Sequence, residues 1–193
     1  QNHLYTSSLH RAPSSFGKEG DDNLTIDINN LQQALDGNYF DFILFDACLM
    51  GSVEVAYELR NTCRYIIASP TETLGSGFPY RNITPLLFND EIDYEQVCNC
   101  YYDTYIAPGS LETGTITLIK TEALDRLATL CKAAIRQYDG DISTSSIQYY
   151  DRTNPHVFYD IDDYMRHISD EEMYTAFTEC LAEVVPYKAA SAT

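Results

Sequence analysis

The stretch that decides the fold is FDFILFDACLMGSVEVAYELRNTCRYIIAS, residues 40–69. It begins with the apolar run FDFILF, which has the length of a strand, and it ends with a second such run, YIIAS. Between them, apolar residues recur at helical spacing, at Met50, Val53 and Tyr57. Apolar runs of this kind are typical of strands that are covered on both faces, as in parallel sheets. The stretch therefore predicts a strand–helix–strand unit with parallel strands.

The rest of the 193-residue chain alternates in the same way. Residues 1–23 are rich in Ser, Gly and charge without periodicity, which predicts an exposed loop. Residues 24–193 carry further helical and strand patterns, including a helix capped by Asp27 and another that begins at a capping box of Ser169 and Glu172. The alternation predicts an α/β fold in which helices flank a mostly parallel central sheet.

The composition argues against several classes of function. The chain has 29 acidic and 12 basic residues and a formal net charge of −17, whereas nucleic-acid binding needs a basic surface. No apolar run approaches the length of a membrane span.

The six cysteines are spread along the chain and show no C-x-x-C spacing. This pattern argues against a disulfide framework. Cys98 and Cys100 form only a C-x-C, which is a weak zinc signal. Cys131 and Cys180 fall in apolar helical patterns that are typical of small core residues.

Cys48 follows the first strand of the decisive stretch, at the start of the predicted helix. In open α/β sheets, ligand sites lie outside the carboxyl ends of the strands. Free N–H groups at a helix start would favour a thiolate and could hold an oxyanion. Two interpretations stay open on these grounds: Cys48 is a nucleophile, or it is a buried cysteine in a tight turn.

Asp46 lies two residues before Cys48, so the two side chains share one face of the strand end. A carboxylate directed at the thiol would disfavour the thiolate, so we expect Asp46 to point elsewhere. A Lys or Arg side chain of a substrate is one target. A helix N-cap is an equally good explanation of the spacing.

These residues carry a resemblance to a known family. The segments FDACLMGSVEVAYELR (residues 45–60) and YIIASPTETLGSGFPY (residues 65–80) resemble the clostripain family of cysteine peptidases, which shares the caspase-like fold. The resemblance extends from about residue 26 to residue 165. It implies a caspase-like three-layer sandwich, with Cys48 as the nucleophile and Asp46 as a residue that reads a basic P1 side chain. It also implies a peptide or protein substrate, cleavage after Arg or Lys, activation by processing, and a calcium requirement in some members.

The family's catalytic histidine belongs to a His-Gly motif upstream of the cysteine, and this chain contains no His-Gly. We therefore expect the histidine on a segment outside this chain, which would be a partner for catalysis. His156 and His167 stay open as substitutes, beside the interpretation that they are ordinary surface or packing histidines.

The segment SPTETLG, residues 69–75, follows the second strand and is expected to line the substrate cleft. Its candidate substrate-binding residues are Ser69, Thr71 and Glu72. Some relatives carry an additional acid near Ser76, where this chain has only the uncharged Gly-Ser-Gly. Ser76 is therefore also a candidate, and Glu72 is the nearest acid. Arg11 and Lys18, in the predicted loop, are candidate self-cleavage sites because exposed loops are nicked most easily.

The sequence and its resemblance thus predict a cysteine endopeptidase that is secreted or held at the cell envelope, as many relatives are. A caspase-like domain that binds without cleaving is the alternative, and the uncharged loop at Ser76 fits it. A metal-binding protein built on Cys98 and Cys100 lacks further ligands. The acidic segments DGDIS and DIDD lack the spacing of an EF-hand loop, so calcium is an expectation from the resemblance alone.

Overall fold

A four-stranded sheet lies between two layers of helices in this computed structural model, which describes residues 15–19 and 24–191, with side chains from residue 26. The strands of the described residues are β1 (Ser15–Glu19), β2 (Leu24–Asp27), β3 (Phe40–Leu44), β4 (Cys63–Ala68), β5 (Thr115–Lys120) and β6 (Tyr187–Ala190). The α-helices are α1 (Ile28–Ala34), α2 (Val53–Leu59), α3 (Tyr80–Ile83), α4 (Tyr94–Tyr101), α5 (Leu124–Gln137), α6 (Ile161–Ile168) and α7 (Glu171–Val184).

The central sheet has the strand order β3-β4-β5-β6. β3 and β4 are parallel, as the decisive stretch predicts. β5 runs antiparallel to β4, and β6 antiparallel to β5. Within the described residues the sheet is therefore mixed, and the prediction of a mostly parallel sheet is wrong. Apolar patterning identifies strands but does not carry their direction.

The side chains of the inner strands alternate between two cores. Ile66 and Ala68 of β4 pack with α1, α2, α5, α6 and α7 on one face, whereas Ile67 packs with α3 and α4 on the other. β5 divides in the same way, with Ile119 on the first face and Leu118 on the second. Continuous apolar runs are required because both faces of the sheet are covered.

The region before β2 differs from its prediction. β1 pairs with β2 as an antiparallel two-stranded sheet. The prediction of an exposed loop over residues 1–23 is therefore wrong for Ser15–Glu19, which includes Lys18. Arg11 lies outside the described residues.

Two helix starts also differ from their predictions. Asp170, rather than Ser169, caps α7 by accepting a hydrogen bond from Met173 N at 2.8 Å. α2 begins at Val53 and is capped by Ser52, whose Oγ accepts from Val55 N at 3.3 Å. Cys48 therefore precedes the helix by a full turn and does not receive the free N–H groups of its first residues.

The core position of α2 gives a stability test with a matched control. Leu59 is 0% exposed and Leu111 is 64% exposed. Leu59→Ala is expected to lower the free energy of unfolding by about 2–5 kcal/mol, because it removes buried methyl groups and leaves a cavity. Leu111→Ala should change it by less than about 0.5 kcal/mol. Urea unfolding of both variants measures the difference, and equal effects would contradict this packing.

Candidate active site

Backbone hydrogen bonds fix the turn between β3 and α2 to the last residues of β4 and to the segment that follows it. Phe45 N donates to Ile67 O, Gly51 N to Ser69 O and Leu49 N to Thr71 O, each at 2.9 Å. The turn thus continues the pairing of the two parallel strands beyond their ends. This pairing places Cys48 beside residues 69–73, at the carboxyl edge of the sheet, where α/β proteins build their sites.

The Cys48 thiol is exposed and is held by a single neighbouring residue. Thr73 N donates to Sγ at 3.3 Å, and Thr73 Oγ1 lies 3.5 Å from Sγ. An N–H donor stabilises the negative charge of a thiolate. Among the described residues, the Cys48 N–H itself has no acceptor, so it is available to a substrate oxygen. The alternative of a buried cysteine is wrong, because the residue is exposed.

The backbone around Cys48 is tightly constrained. Leu49 adopts φ 63°, a left-handed conformation that costs a non-glycine residue roughly 1–2 kcal/mol. A methyl group at Gly51 would lie 2.6 Å from Pro70 N and 2.7 Å from Ser69 C. Only glycine allows this close approach of the two segments. Strain of this kind persists where the surrounding structure enforces it, which is typical of functional sites.

The Asp46 carboxylate points away from Cys48, as expected, and contacts the loop before α3. Its Oδ2 accepts from Tyr80 OH at 2.8 Å and from Phe78 N at 3.3 Å. Partial burial, together with the hydrogen bond to Asp46, raises the pKa of Tyr80 to about 12, so its hydroxyl remains a donor at neutral pH. Both hydrogen bonds that Asp46 accepts from described residues reach Oδ2, which leaves Oδ1 available.

The N-cap interpretation of Asp46 is excluded, because Ser52 caps α2. The chemistry that remains for Asp46 is that of an exposed, acceptor-only carboxylate within two residues of a presented thiol. Such a group favours a cationic side chain.

The remaining predicted cleft residues have different surroundings. Ser69 is fully buried, and its Oγ lies 2.7 Å from Thr115 Oγ1 and accepts from Thr71 N at 3.2 Å. Its predicted contact with substrate is therefore not supported; it shapes the segment. Thr71 is half-buried beside it, with Oγ1 2.8 Å from Thr115 Oγ1. Ser76 is exposed, and its Oγ lies 3.2 Å from Tyr105 OH.

Comparison with known proteins places this geometry in a family. The sequence profile of the clostripain family, the C11 peptidases, matches residues 15–184. The chain belongs to the clostripain family of cysteine peptidases. Comparison with the curated proteins finds no match.

Solved structures of clostripain-family proteins superpose closely on this chain. A clostripain from Bacteroides thetaiotaomicron in complex with the peptide inhibitor BTN-VLTK-AOMK is 33% identical, with a TM-score of 0.84, over 91% of this chain and 80% of the other. An inactive zymogen C11 protease from Parabacteroides distasonis is 40% identical, with a TM-score of 0.78, over 85% of this chain and 48% of the other. A secreted C11 cysteine protease from B. thetaiotaomicron, iotapain, is 35% identical, with a TM-score of 0.80, over 86% and 48%. The caspase-like α/β fold is thereby confirmed.

The two histidines of the described residues, His156 and His167, lie apart from this clostripain-family cysteine. Among the described residues, no histidine lies within hydrogen-bonding distance of Cys48 Sγ. His156 Nδ1 lies 3.0 Å from Asp151 Oδ1, and its ring stacks on Tyr149. His167 Nδ1 contacts Asp163 O on α6 at 2.7 Å. Both histidines therefore have local structural partners.

The hairpin of residues 149–159 contacts the cleft, which the sequence alone does not reveal. Arg152, at its tip, forms an ion pair with Glu72 at 3.3 Å. Next to it, the buried Asp151 accepts from Thr153 N, Thr153 Oγ1, Val157 N and Phe158 N. Burial alone would raise the pKa of Asp151, but hydrogen bonds, the largest from Thr153, outweigh it and hold the pKa well below its usual value.

Metal-ligating side chains are dispersed in the described part of the chain. Within residues 26–191, no three His, Cys, Asp or Glu side chains are grouped so that they could hold a metal ion. None of the helices in the described part of the chain is long and apolar enough to cross a membrane.

The packing of Asp46 against Gly77 gives a test of the site. Gly77 has φ +69°, and a methyl group there would collide with Asp46 Oδ2, whereas Gly75 has open space around it. We expect Gly77→Ala to lower the free energy of unfolding by about 1–2 kcal/mol, since a left-handed alanine is strained. Gly75→Ala should change it by less than about 0.5 kcal/mol. Thermal and urea unfolding of both variants measures this, and a neutral Gly77→Ala would disprove the close approach.

The Asp151 cluster predicts a pH dependence. The folded-state pKa is lowered below the unfolded value of about 3.9, so the contribution of this carboxylate to stability is present above that value and is lost as the pH falls through the folded pKa. Asp151→Asn is expected to cost about 1–3 kcal/mol at pH 7, because it leaves buried donors poorly paired.

The difference in unfolding free energy between wild type and Asp151→Asn should shrink steadily below about pH 4. The exposed Asp90 supplies the control: Asp90→Asn is expected to be close to neutral. A difference for Asp151→Asn that stays constant from pH 7 to pH 3 would contradict the account.

Proposed function

We propose that this chain carries the nucleophile of an endopeptidase that cleaves peptide bonds after a basic P1 residue. The observation that carries the proposal is the pair formed by the exposed Cys48 thiol and the free Oδ1 of Asp46, two residues apart on one strand end. A carbonyl carbon at Sγ brings the P1 side chain into this neighbourhood. Asp46 can then bind a Lys or Arg cation through a charge-assisted hydrogen bond.

The chemistry follows from the atoms around Cys48. A histidine on a segment outside this chain takes the thiol proton, and the thiolate attacks the scissile carbonyl carbon. The Cys48 N–H, which has no acceptor among the described residues, donates to the oxyanion as the carbon becomes tetrahedral. The C–N bond then breaks, the amine leaves with the proton from the histidine, and water hydrolyses the thioester.

The relatives support the P1 assignment. The peptide bound to the B. thetaiotaomicron clostripain, VLTK, ends in lysine. Ser76 fits the same function, since it lies on the loop that Asp46 holds and contacts Tyr105. Secretion and a bacterial origin are part of the proposal, supported by the secreted relative iotapain and by the bacterial sources of the neighbours.

Activation by self-cleavage is also proposed, supported by the relative that is a zymogen. Arg11 is the better candidate site. Lys18 lies in β1, which is paired with β2, and a protease needs the scissile segment to be free of such pairing.

The test uses the full-length protein with electrophilic peptide inhibitors that bear P1 Lys, Arg, Asp or Leu. We expect intact-mass and peptide-mapping analysis to show one adduct, at Cys48, that forms fastest with P1 Lys or Arg and is absent from Cys48→Ala. Asp46→Asn should slow labelling by P1 Lys roughly 10–100-fold, because it removes the charge while keeping an acceptor oxygen for Tyr80.

Asp41→Asn is the matched control. Asp41 is an exposed aspartate near the opposite end of β3. Asp41→Asn should therefore keep the rate of labelling by P1 Lys within about twofold of the wild-type rate. If no inhibitor labels Cys48 while a small thiol reagent does, the chain is a binding domain without a working cleft. If labelling is fast and Asp46→Asn does not slow it, the chain is a peptidase but Asp46 does not recognise P1.

A further inference from the structure

Glu72 has different contacts from its two neighbours in the sequence. Thr71 points toward Thr115, and Thr73 points toward Cys48 Sγ at 3.5 Å. The intervening Glu72 is exposed and contacts neither Thr115 nor Cys48; its carboxylate meets Arg152 instead. Its backbone is adjacent in sequence to Thr73, whose N–H and hydroxyl contact the Cys48 thiol.

Arg152 meets Glu72 there from a different part of the chain. Its NH2 lies 3.3 Å from Glu72 Oε2, and the two side chains are 86% and 49% exposed. A guanidinium has five donors in a planar fork, and this contact uses one of its nitrogens. The greater part of the cation therefore faces solvent at the rim of the cleft.

The hairpin holds Arg152 in this position by an organised structure. The adjacent Asp151 is 4% exposed, and its carboxylate accepts hydrogen bonds from the backbone N–H groups of Thr153, Val157 and Phe158. Tyr150 N also bonds Phe158 O across the hairpin at 2.9 Å. The buried carboxylate of Asp151 therefore fixes the backbone around the exposed Arg152. The position of Arg152 is thus set by the fold of the hairpin.

We propose that Arg152 is a specificity-determining residue, and that its ion pair with Glu72 reads the charge of the substrate side chain adjoining P1. This rests on the peptidase function proposed above. The unpaired N–H groups of the guanidinium can donate hydrogen bonds to an acidic substrate side chain. At the same time, the ion pair with Arg152 reduces the attraction of the Glu72 carboxylate for a basic substrate side chain. An exposed ion pair is weak, so a substrate carboxylate can join or replace Glu72 at Arg152 without disturbing the hairpin.

Two side chains of opposite charge would then recognise two neighbouring positions of the substrate. Asp46 binds the P1 cation next to the loop before α3. Arg152 binds the side chain at the neighbouring position next to the hairpin. The chain as a whole carries a charge of −17, which alone would disfavour acidic substrates. A single exposed arginine at the rim reverses that preference locally.

The experiment measures kcat/KM of the full-length protein on peptides with P1 Lys. Glu, Gln and Lys are placed in turn at P3, P2, P1′ and P2′. Wild type is expected to prefer Glu over Lys about three- to tenfold at a position adjoining P1, P2 or P1′. Arg152→Glu should reverse the preference at that position alone, and Arg152→Lys should keep its sign with a smaller ratio, since Lys retains the charge but not the fork.

Arg136→Glu controls for the change in net charge. Arg136 is an exposed arginine near the end of α5, and its reversal should leave the ratios at all four positions as in wild type. Identical ratios in wild type and Arg152→Glu, with P1 Lys cleavage intact, would overturn the role of Arg152 and leave the peptidase function standing. Absence of cleavage for every peptide, with Cys48 unlabelled by the P1 Lys inhibitor, would instead overturn the peptidase function and this inference with it.

Arg152→Glu could act by loosening the hairpin rather than by charge. Glu72→Gln tests this from the other partner, because it leaves the hairpin unchanged. It should increase the Glu-over-Lys ratio at the same position, since Arg152 is then freed and no carboxylate remains to attract Lys. A decrease in that ratio would contradict the proposal.

Discussion

Three backbone hydrogen bonds hold the turn that carries Cys48: one from Phe45 to β4, and two from Leu49 and Gly51 to the segment that follows β4. They extend the parallel pairing of β3 and β4 past the ends of the strands, where a sheet would ordinarily splay. The close approach requires Gly51 and the left-handed backbone of Leu49. The position of the thiol, and the presence of Thr73 beside it, both follow from this contact between two loops.

Asp46 links the same turn to a second loop. Its carboxylate organises the approach to α3 through Phe78 and Tyr80, and it keeps one oxygen for a cation. In the proposed function, the side chain that binds the P1 cation therefore also holds the loop beside it. A change at Asp46 is expected to alter both the charge and the shape of this cleft, which is why an isosteric asparagine is the informative variant.

The sequence is sufficient to predict the strand–helix–strand unit, because FDFILF and YIIAS are apolar on both faces and α2 is amphipathic. It also predicts that Asp46 and Cys48 follow the first strand closely, but not that β3 ends at Leu44 and that the two side chains contact different segments. The start of α2 is misplaced because the apolar spacing extends through Met50, which is buried although it precedes the helix. The direction of β5 is missed because apolar alternation is the same in parallel and antiparallel strands.

Other features of the site depend on contacts between distant segments. The bond from Thr73 to Cys48 follows from the parallel register of β3 and β4, and could be inferred only once that register is known. The pairing of Arg152 with Glu72 has no local signal, because Arg152 lies in a stretch without periodicity. The burial of Ser69 follows from its neighbour Thr115 on β5, whose place in the sheet the sequence does not specify.

The most direct measurement is a crystal structure of the full-length protein joined covalently to a peptide inhibitor with P1 Lys. We expect a bond from the inhibitor to Cys48 Sγ, the P1 ammonium within about 4 Å of Asp46 Oδ1, and the inhibitor oxygen at the Cys48 N–H. An adduct at Cys48 whose P1 side chain lies away from Asp46, or an adduct at another residue, would show that the residues after β3 do not form both the catalytic and the recognition site.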